Sequence, residues 1–481
     1  MAQATRWSTF TELAAKLIAP VTNMILARLL TPEMFGVVAT VMMIISFAEI
    51  LTDAGFQKYL VQHDFKDRSE LDQYTNVAFW SNLFISILLW LGISLFSKPL
   101  ARLVGSPGKE TAIIVASLSL PLTAFSSIQM ARFRRDFDFK SLFFIRIITA
   151  AIPLVVTVPL AVITRNYWAL IIGTLAGHLV NAVILTWRLN WKPKLYFSFA
   201  ALKDMFSYSW WILLESVTTW LTSYVGTFIV GAFLSQHFLG LYKTTMSTAN
   251  QIISLITAAT SAPLFVALSK LKNNHNEMLH TYYDYIGALG FFVIPMGFGI
   301  WLYKDFITWV LLGDQWMEAA DFLGLWGLTS SVSLLFGTYS NGLYNAKGKT
   351  HLSFLTQVLH LAALIPVLLF SAPKGFTTLC IARCAVRLEL VLVQQITMKV
   401  SMKSSLWQQL KKMLPAIIGT VVMVACGTLL KLLGSSYLMD ALGVLLCIAV
   451  YLIVCLAFFK KQMLLSLDIL GFKFTKRNAK G

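Results

Sequence analysis

Long apolar runs separated by short polar turns make up most of this chain. Fourteen runs reach the roughly 20 mostly apolar residues that an α-helix needs to cross a bilayer. The predicted spans are approximately 8–30, 35–56, 74–96, 111–130, 141–163, 167–187, 206–232, 239–268, 280–302, 319–345, 352–372, 376–398, 413–432 and 437–459. The pattern predicts an all-α, polytopic membrane protein with about 14 transmembrane helices and no attached soluble domain.

The composition agrees with this prediction. Of 481 residues, 57% are hydrophobic and 13% are charged, and the mean hydropathy is +0.71. A soluble globular protein of this size is less apolar. The five cysteines all fall in late apolar runs, where packing is the expected role, and we predict no disulfide and no metal site. They are Cys380, Cys384, Cys426, Cys447 and Cys455.

The net charge of +17 suggests nucleic-acid binding until the positions of the charges are considered. With the N-terminus placed in the cytoplasm, twenty-six of the 39 lysines and arginines fall in cytoplasmic segments and seven in external ones. This bias follows the positive-inside rule. It predicts that both termini are cytoplasmic, and it makes the basic excess a signal of membrane topology rather than of a nucleic-acid partner.

A repeated turn indicates that the chain has two related halves. LLTPEMFG at 29–36 and FLSQHFLG at 233–240 both lie between apolar runs, 204 positions apart. Because predicted helices 1 and 7 run in the same direction, the matching units are helices 1 to 6 and 7 to 12. The repeat predicts two pseudo-symmetric six-helix lobes plus two C-terminal helices, with a substrate path between the lobes.

The predicted organisation has five parts. They are an N-lobe at 1–187, a basic cytoplasmic linker at 188–205, a C-lobe at 206–398, the two added helices at 399–459 and a basic cytoplasmic tail at 460–481. No Walker or dinucleotide-binding glycine pattern occurs in any of them. Transport driven by ATP hydrolysis within this chain is therefore not expected.

Six cations lie inside the predicted spans. Each costs about 2.5–3.5 kcal/mol at the bilayer centre on insertion scales, so each needs a partner, a cavity or an interface. These cations outnumber the carboxylates deep in the spans, which indicates an anionic ligand. They are Lys16, Arg28, Arg146, Lys243, Arg383 and Arg387.

Depth along the helices divides four of these cations into two stations. Lys16 and Arg146 lie toward the cytoplasmic side, and Arg28 and Lys243 lie toward the outer side. A phosphate moving between the lobes could pass from one station to the other. The alternatives are that Arg28 and Lys243 simply extend to the interface, and that Lys16 pairs with Glu12 one helical turn before it.

Glu215 and Arg387 are predicted at equal depth on helices 7 and 12, with Arg383 one turn away. Together with Glu12 they are candidates for coupling or gating, either as a charge relay or as partners that exchange during transport. The alternative is that the Glu215–Arg387 pair only neutralises a buried carboxylate.

Five motifs resemble one known family when they are taken in order. They are ARLLTPEMFG, LTDAGFQKYLVQ, ARFRRDFDF, LLGDQWMEAADFL and the NAKGK turn. This series is similar to the polysaccharide transporters, the Wzx-type oligosaccharide flippases of the multidrug/oligosaccharidyl-lipid/polysaccharide exporter superfamily. The resemblance implies fourteen helices in two lobes around a cationic cavity, to which Arg28 and Arg146 would contribute.

The implied activity is translocation of undecaprenyl-pyrophosphate-linked oligosaccharide across the bacterial inner membrane by alternating access. The partners that it implies are the lipid-linked oligosaccharide and membrane lipids, and a polymerase and other polysaccharide-assembly proteins are candidates. No cofactor is expected, and H⁺ or Na⁺ coupling occurs in some relatives. Two alternatives are a multidrug cation antiporter of the same superfamily, which should have a more acidic cavity, and a membrane polymerase or ligase enzyme, which should have a large external loop. The excess of cations within the spans argues against the antiporter, and the lack of a long external loop argues against the enzyme. We therefore expect a transporter rather than an enzyme.

Overall fold

The computed structural model describes residues 18–53, 55–434 and 436–469, and these residues form helices joined by short turns without any strand. The first eleven helices are α1 Ile18–Leu29, α2 Pro32–Asp53, α3 Phe56–Gln62, α4 Arg68–Leu95, α5 Ser97–Leu103, α6 Glu110–Ser117, α7 Ser119–Arg135, α8 Phe139–Ile152, α9 Val158–Thr164, α10 Trp168–Arg188 and α11 Phe199–Phe233. The remaining ten are α12 Gln236–Lys270, α13 His275–Leu302, α14 Lys304–Leu311, α15 Ala320–Ser333, α16 Tyr339–Ala346, α17 Thr350–Ser371, α18 Phe376–Met402, α19 Leu406–Leu433, α20 Tyr437–Phe458 and α21 Lys460–Ile469.

The chain divides into two compact units, 1–244 and 245–481. The first unit holds α1 to α11 and the start of α12, and the second holds the rest of α12 and all later helices. The lobe boundaries drawn from the sequence remain a prediction, as does the arrangement of two six-helix lobes.

Ten helical segments of the described chain are long and apolar enough to cross a membrane, which makes this a multi-pass membrane protein. Each coincides with one of the predicted spans. The other four predicted spans, 8–30, 206–232, 239–268 and 376–398, overlap α1, α11, α12 and α18, which are not among the ten. The all-helical membrane fold is therefore confirmed, and the count of fourteen spans remains a prediction.

Two of the long segments contain a wider helical turn. The helix at 140–164 passes through a π-helical turn, Pro153–Thr157, between α8 and α9. Proline lacks the amide hydrogen that an α-helix requires at that position, and the chain takes the wider turn directly there. A second π-helical turn, Leu334–Thr338, joins α15 to α16.

The two repeated turns pack against each other within the first unit. A Cβ on Gly36 would lie 2.0 Å from the carbonyl oxygen of Gln236, and one on Gly240 would lie 1.8 Å from that of Pro32. The contact is reciprocal, because each glycine admits the backbone of the other turn. The repeat therefore marks a close crossing between the starts of α2 and α12.

An ion-paired network holds the opposite end of the first unit. Arg132 on α7 bonds Asp72 on α4 at 2.5 Å, and Arg135 donates from Nη1 to the carbonyl oxygens of Leu60 and His63, both at 2.7 Å. Cations at a helix C-terminus satisfy carbonyl groups that have no partner within the helix. The ARFRR motif thus fixes α7 to the end of α3.

The core of the second unit is built around α13. This helix packs against α15, α19 and α21, and Tyr451 on α20 donates to the carbonyl oxygen of Phe291 at 2.7 Å. The start of the predicted C-terminal tail forms α21, and its Met463 packs against the apolar cluster that contains Phe291.

Candidate functional site

The cations predicted for the first unit lie on three different helices. Arg28 lies on α1 and is exposed, Arg146 lies on α8 and is half-buried, and Lys243 lies on α12 and is half-buried. Lys16 and Glu12 lie outside the described residues. Their placement at the inner station and their mutual pairing remain predictions.

Lys243 has an aromatic partner. Its Nζ lies 4.2 Å from the centroid of the Tyr224 ring, and that ring stacks on Trp220 with centroids 5.3 Å apart. The indole of Trp220 is fixed in turn by a 2.9 Å hydrogen bond to Oγ of Ser46 on α2. A cation–π contact of this kind contributes about 0.5–2 kcal/mol, so Lys243 is held within the protein by aromatic rings.

Arg146 differs from Lys243. Within the described part of the chain, no hydrogen bond or ion pair joins its guanidinium group to another residue. It lies about six residues into the span 140–164, which is about 9 Å at the helical rise. A half-buried arginine at that depth is costly unless an anion or water meets it.

In the second unit, one tryptophan brings the two remaining predicted cations together. Arg383 and Arg387 lie one turn apart on α18, and their Cζ atoms lie 5.1 Å and 4.1 Å from the ring centroid of Trp326 on α15. Trp326 is fully buried. We call these three residues the Trp326 cluster. Two like charges one helical turn apart repel, and the electron-rich indole face offsets part of that repulsion.

Arg383 is only 7% exposed. Two of its guanidinium nitrogens, Nε and Nη1, are buried and have no hydrogen-bond partner among the described residues. Buried donors of a charged group nearly always have an acceptor. A buried donor without one costs more free energy than an ordinary hydrogen bond gains. The cluster is therefore electropositive and has unused hydrogen-bond donors.

The tryptophan of this cluster is itself held in place. Its Nε1 donates to Oδ1 of Asn250 on α12 at 3.2 Å, and the α15 backbone beside it approaches α13 closely. A Cβ on Gly327 would lie 2.6 Å from the Ile300 side chain. Close helix packing through small residues is typical of membrane helices, and here it fixes the ring on which both arginines lie.

A further polar contact joins α17 to α18, and it involves a histidine that the hydrophobic pattern does not single out. His360 on α17 bonds Glu389 on α18, with 3.0 Å between Nδ1 and Oε2, and the two side chains are 2% and 32% exposed. The sequence carries a signal for this contact, because α17 and α18 form a helical hairpin through the tight turn Ala372–Lys374. Residues at similar distances from such a turn meet in an antiparallel pair.

Glu215 lies on α11, and its side chain is not among those that the structure describes. The predicted Glu215–Arg387 pair therefore remains a prediction. In the described residues, no group of three or more histidine, cysteine or acidic side chains is arranged to hold a metal ion.

Comparison with known proteins gives a family. Residues 25–321 match the sequence model of the family described as polysaccharide biosynthesis protein. The succinoglycan biosynthesis transport protein ExoT of Rhizobium meliloti is 25% identical over 68% of this chain and 65% of its own, so this chain spans just under two thirds of that relative. The lipopolysaccharide biosynthesis protein WzxC of Escherichia coli is 23% identical over 76% of this chain and 73% of its own.

Two solved structures share the fold. The lipid II flippase MurJ, in an inward closed conformation, superposes with a TM-score of 0.71 at 16% identity, covering 96% of this chain and 98% of its own. An inward-facing multidrug resistance MATE family transporter of the MOP superfamily gives 0.65 at 14% identity, covering 82% and 98%. At these identities the likeness concerns the fold alone.

The resemblance that the five motifs indicated is thus confirmed. The matched segment covers more than half of the sequence, and the motifs ARLLTPEMFG and LLGDQWMEAADFL mark its two ends. The chain belongs to the polysaccharide biosynthesis protein family.

Proposed function

We propose that this protein is a flippase. It would move oligosaccharide units linked to undecaprenyl pyrophosphate from the cytoplasmic to the outer leaflet of the bacterial inner membrane, by alternating access and without a bound cofactor. In this proposal fourteen helices form two six-helix lobes plus two further helices, and both termini are cytoplasmic. Polysaccharide-assembly proteins, including a polymerase, would supply and consume the substrate.

The observation that carries the proposal is that two arginines in apolar helices, Arg146 and Arg383, have no carboxylate partner among the described residues. Arg146 has no polar partner among the described residues, and Arg383 has two buried guanidinium nitrogens without an acceptor. Such cations persist in apolar helices when an anion meets them during the working cycle. A diphosphate headgroup supplies that anion, while its lipid tail stays in the bilayer.

The proposal also explains why the cations occur on several helices. Arginine binds phosphate oxygens through a planar set of donors, and a headgroup that crosses the membrane needs successive contacts rather than one tight site. Arg28, Lys243 and Lys16 would join Arg146 in these contacts. The names of the polysaccharide-transport relatives support the same role.

The test uses cells that lack the protein and are complemented with wild type or with Arg146→Ala. We expect loss of the protein to remove surface polysaccharide and to leave the lipid-linked saccharide in the inner leaflet, where a membrane-impermeant reagent cannot reach it. Arg146→Ala should fail to restore surface polysaccharide despite normal membrane levels, because the inner contact to the diphosphate is lost.

The matched control is Arg188→Ala, which removes an exposed arginine at the end of α10. It should restore polysaccharide fully. If loss of the protein leaves surface polysaccharide unchanged and alters only sensitivity to cationic drugs, the protein is a multidrug antiporter. If the lipid-linked unit reaches the outer leaflet and stays unpolymerised, the protein acts as a polymerase.

A further inference from the structure

The strongest unassigned feature of the second unit is the His360–Glu389 pair. His360 is almost fully enclosed, at 2% side-chain exposure, and its Nδ1 lies 3.0 Å from Oε2 of Glu389. Neither residue belongs to the cationic path described above. Both lie on helices of the hairpin that also presents Arg383 and Arg387.

His360 lies within the segment His351–Lys374, which is long and apolar enough to cross a membrane, and Glu389 packs beside it. Each residue is about 12 to 14 positions from the hairpin turn, which at 1.5 Å per residue places the pair about 20 Å from that end of the helices. The hydrocarbon core is about 30 Å thick. Ionisable groups at such depth are retained chiefly where they bind substrate, bind ions or relay protons, and a simple packing role does not require them.

The two cations of this hairpin that are nearest to Glu389 in sequence lie on α18. Arg383 and Arg387 precede Glu389 by six and two residues. His351 on α17 and Lys399 on α18 are exposed and lie nine and ten residues from the pair along their helices. The other groups are engaged or are buried thiols. Asp321 of α15 pairs with Lys304. On α16, the hydroxyl group of Tyr344 donates to the carbonyl oxygen of Gln394, and the hydroxyl group of Tyr339 bonds that of Thr260. Cys380 and Cys384 are buried free thiols.

From this geometry we propose that His360 and Glu389 form a proton-binding site of the transporter, which loads and releases one proton in each cycle. This inference rests on the proposed transport function. In the proton-free form, neutral His360 donates its Nδ1 hydrogen to the Glu389 carboxylate, and the pair carries one negative charge. Uptake of one proton from water makes the pair neutral overall, and release returns that proton to water.

A proton fits this pair better than a metal cation does. The site offers one carboxylate and one imidazole, and the described residues hold no cluster of three or more such ligands. The charge of the pair also matters to its neighbours. While the proton is absent, the pair carries one negative charge on the same helical hairpin as Arg383 and Arg387, and when the proton is bound the pair is neutral. Loading of the site therefore changes the net charge of this hairpin by one unit.

The first experiment detects the proton directly and needs no transport. The purified full-length protein in lipid vesicles is titrated from neutral toward acid pH while infrared difference spectra are recorded. We expect carboxyl and imidazole bands in wild type. The other acidic and histidine side chains contribute to every spectrum. Because the proton is shared, one carboxyl and one imidazole component of the wild-type spectrum should be lost together in His360→Gln and also in Glu389→Gln, and Glu49→Gln on α2 should retain both of these components.

Comparison of each variant with wild type can overturn the proposal. If the spectra of His360→Gln and of Glu389→Gln both match those of wild type, the site binds no proton. A component that is lost from only one of the two variants assigns the titration to that residue alone and likewise contradicts a shared proton. Elution volume and thermal stability of each variant show whether it is folded. Glu389→Gln retains a side-chain amide that can bond His360, so it is the variant more able to keep the native fold.

A second experiment links the site to transport. Vesicles carry a polyprenyl-diphosphate-linked sugar, and its rate of translocation is measured with and without an imposed pH gradient. We expect wild type and Glu49→Gln to respond to the gradient and Glu389→Gln to show no response. A Glu389→Gln rate that follows the gradient as wild type does contradicts the inference. Failure of wild type to move the sugar contradicts the proposed function, and the spectra still decide the proton site.

Discussion

Single residues of this protein are informative where charge meets an apolar sequence. Arg383 and Arg387 can be singled out from the sequence because a cation within a hydrophobic run is conspicuous. Their partner Trp326 cannot, because a tryptophan in such a run has the same composition signal whether it faces lipid or the interior. His360 escapes prediction for a related reason, since its contact with Glu389 depends on the register of a hairpin rather than on local sequence.

The ARFRR motif gives the prediction at this scale. Arg135 is predicted from sequence only as a cytoplasmic positive charge, yet its guanidinium closes the C-terminus of α3 and lies 4.8 Å from the ring centroid of Phe65. Arg135→Gln should lower the free energy of unfolding by about 2 kcal/mol, the scale of hydrogen bonds to a charged group. Thermal stability of the purified protein measures the loss.

Lys140→Gln is the control for this change. It removes an exposed cation near the start of α8 and gives the same net charge as the test variant. Its melting temperature should match that of wild type. Equal melting temperatures for both variants would show that Arg135 acts only as a positive charge that sets membrane orientation, and that its bonds to the carbonyl oxygens contribute nothing to stability.

At the scale of helices, hydropathy finds the spans and misses what interrupts them. The predicted span 141–163 coincides with a real helical segment, but the π-helical turn at Pro153–Thr157 inside it depends on backbone hydrogen bonding. The short helices α5 and α14 escaped prediction because seven or eight residues are too few for a membrane-span signal. Length and apolar content therefore predict spans, while local geometry decides their shape.

The crossing of α2 and α12 gives the prediction for helices. Gly36→Ala places a methyl group within 2.0 Å of a backbone carbonyl oxygen, and a backbone cannot move aside as a flexible side chain can. Overpacking typically costs about 1–3 kcal/mol, and we expect the upper end of this range for Gly36→Ala and also for Gly240→Ala. The change is measured by heating the membranes, solubilising them in detergent and determining the fraction of the protein that remains monodisperse.

Gly177→Ala on α10 is the matched control. That glycine is buried, and a Cβ added there would meet nothing within 4 Å. Alanine in a helix is favoured over glycine by up to about 1 kcal/mol, so this variant should be as stable as wild type or more so. If Gly36→Ala behaves as Gly177→Ala does, the two turns do not pack as closely as the structure indicates.

For the whole molecule, the repeat and the distribution of charge are the most useful parts of the sequence. The 204-residue offset alone pairs Gly36 with Gly240, and it also pairs Glu33 with His237, which bond at 2.6 Å. The repeat therefore identifies a contact, and the symmetry that it predicts remains a prediction.

Membrane orientation is the remaining prediction at this scale, and two turns at opposite ends of one span test it. Pro107 precedes the helical segment Glu110–Arg135 and Asp136 follows it, and both residues are exposed. The positive-inside bias places Pro107 outside and Asp136 in the cytoplasm. In intact cells a membrane-impermeant maleimide should label Pro107→Cys, and it should label Asp136→Cys only after lysis. Of the five native cysteines, four are buried and Cys426 is half-buried, so wild type measures the background. The reverse labelling pattern would invert the protein in the membrane, and it would place the ARFRR end of the first unit on the outer face and the termini outside.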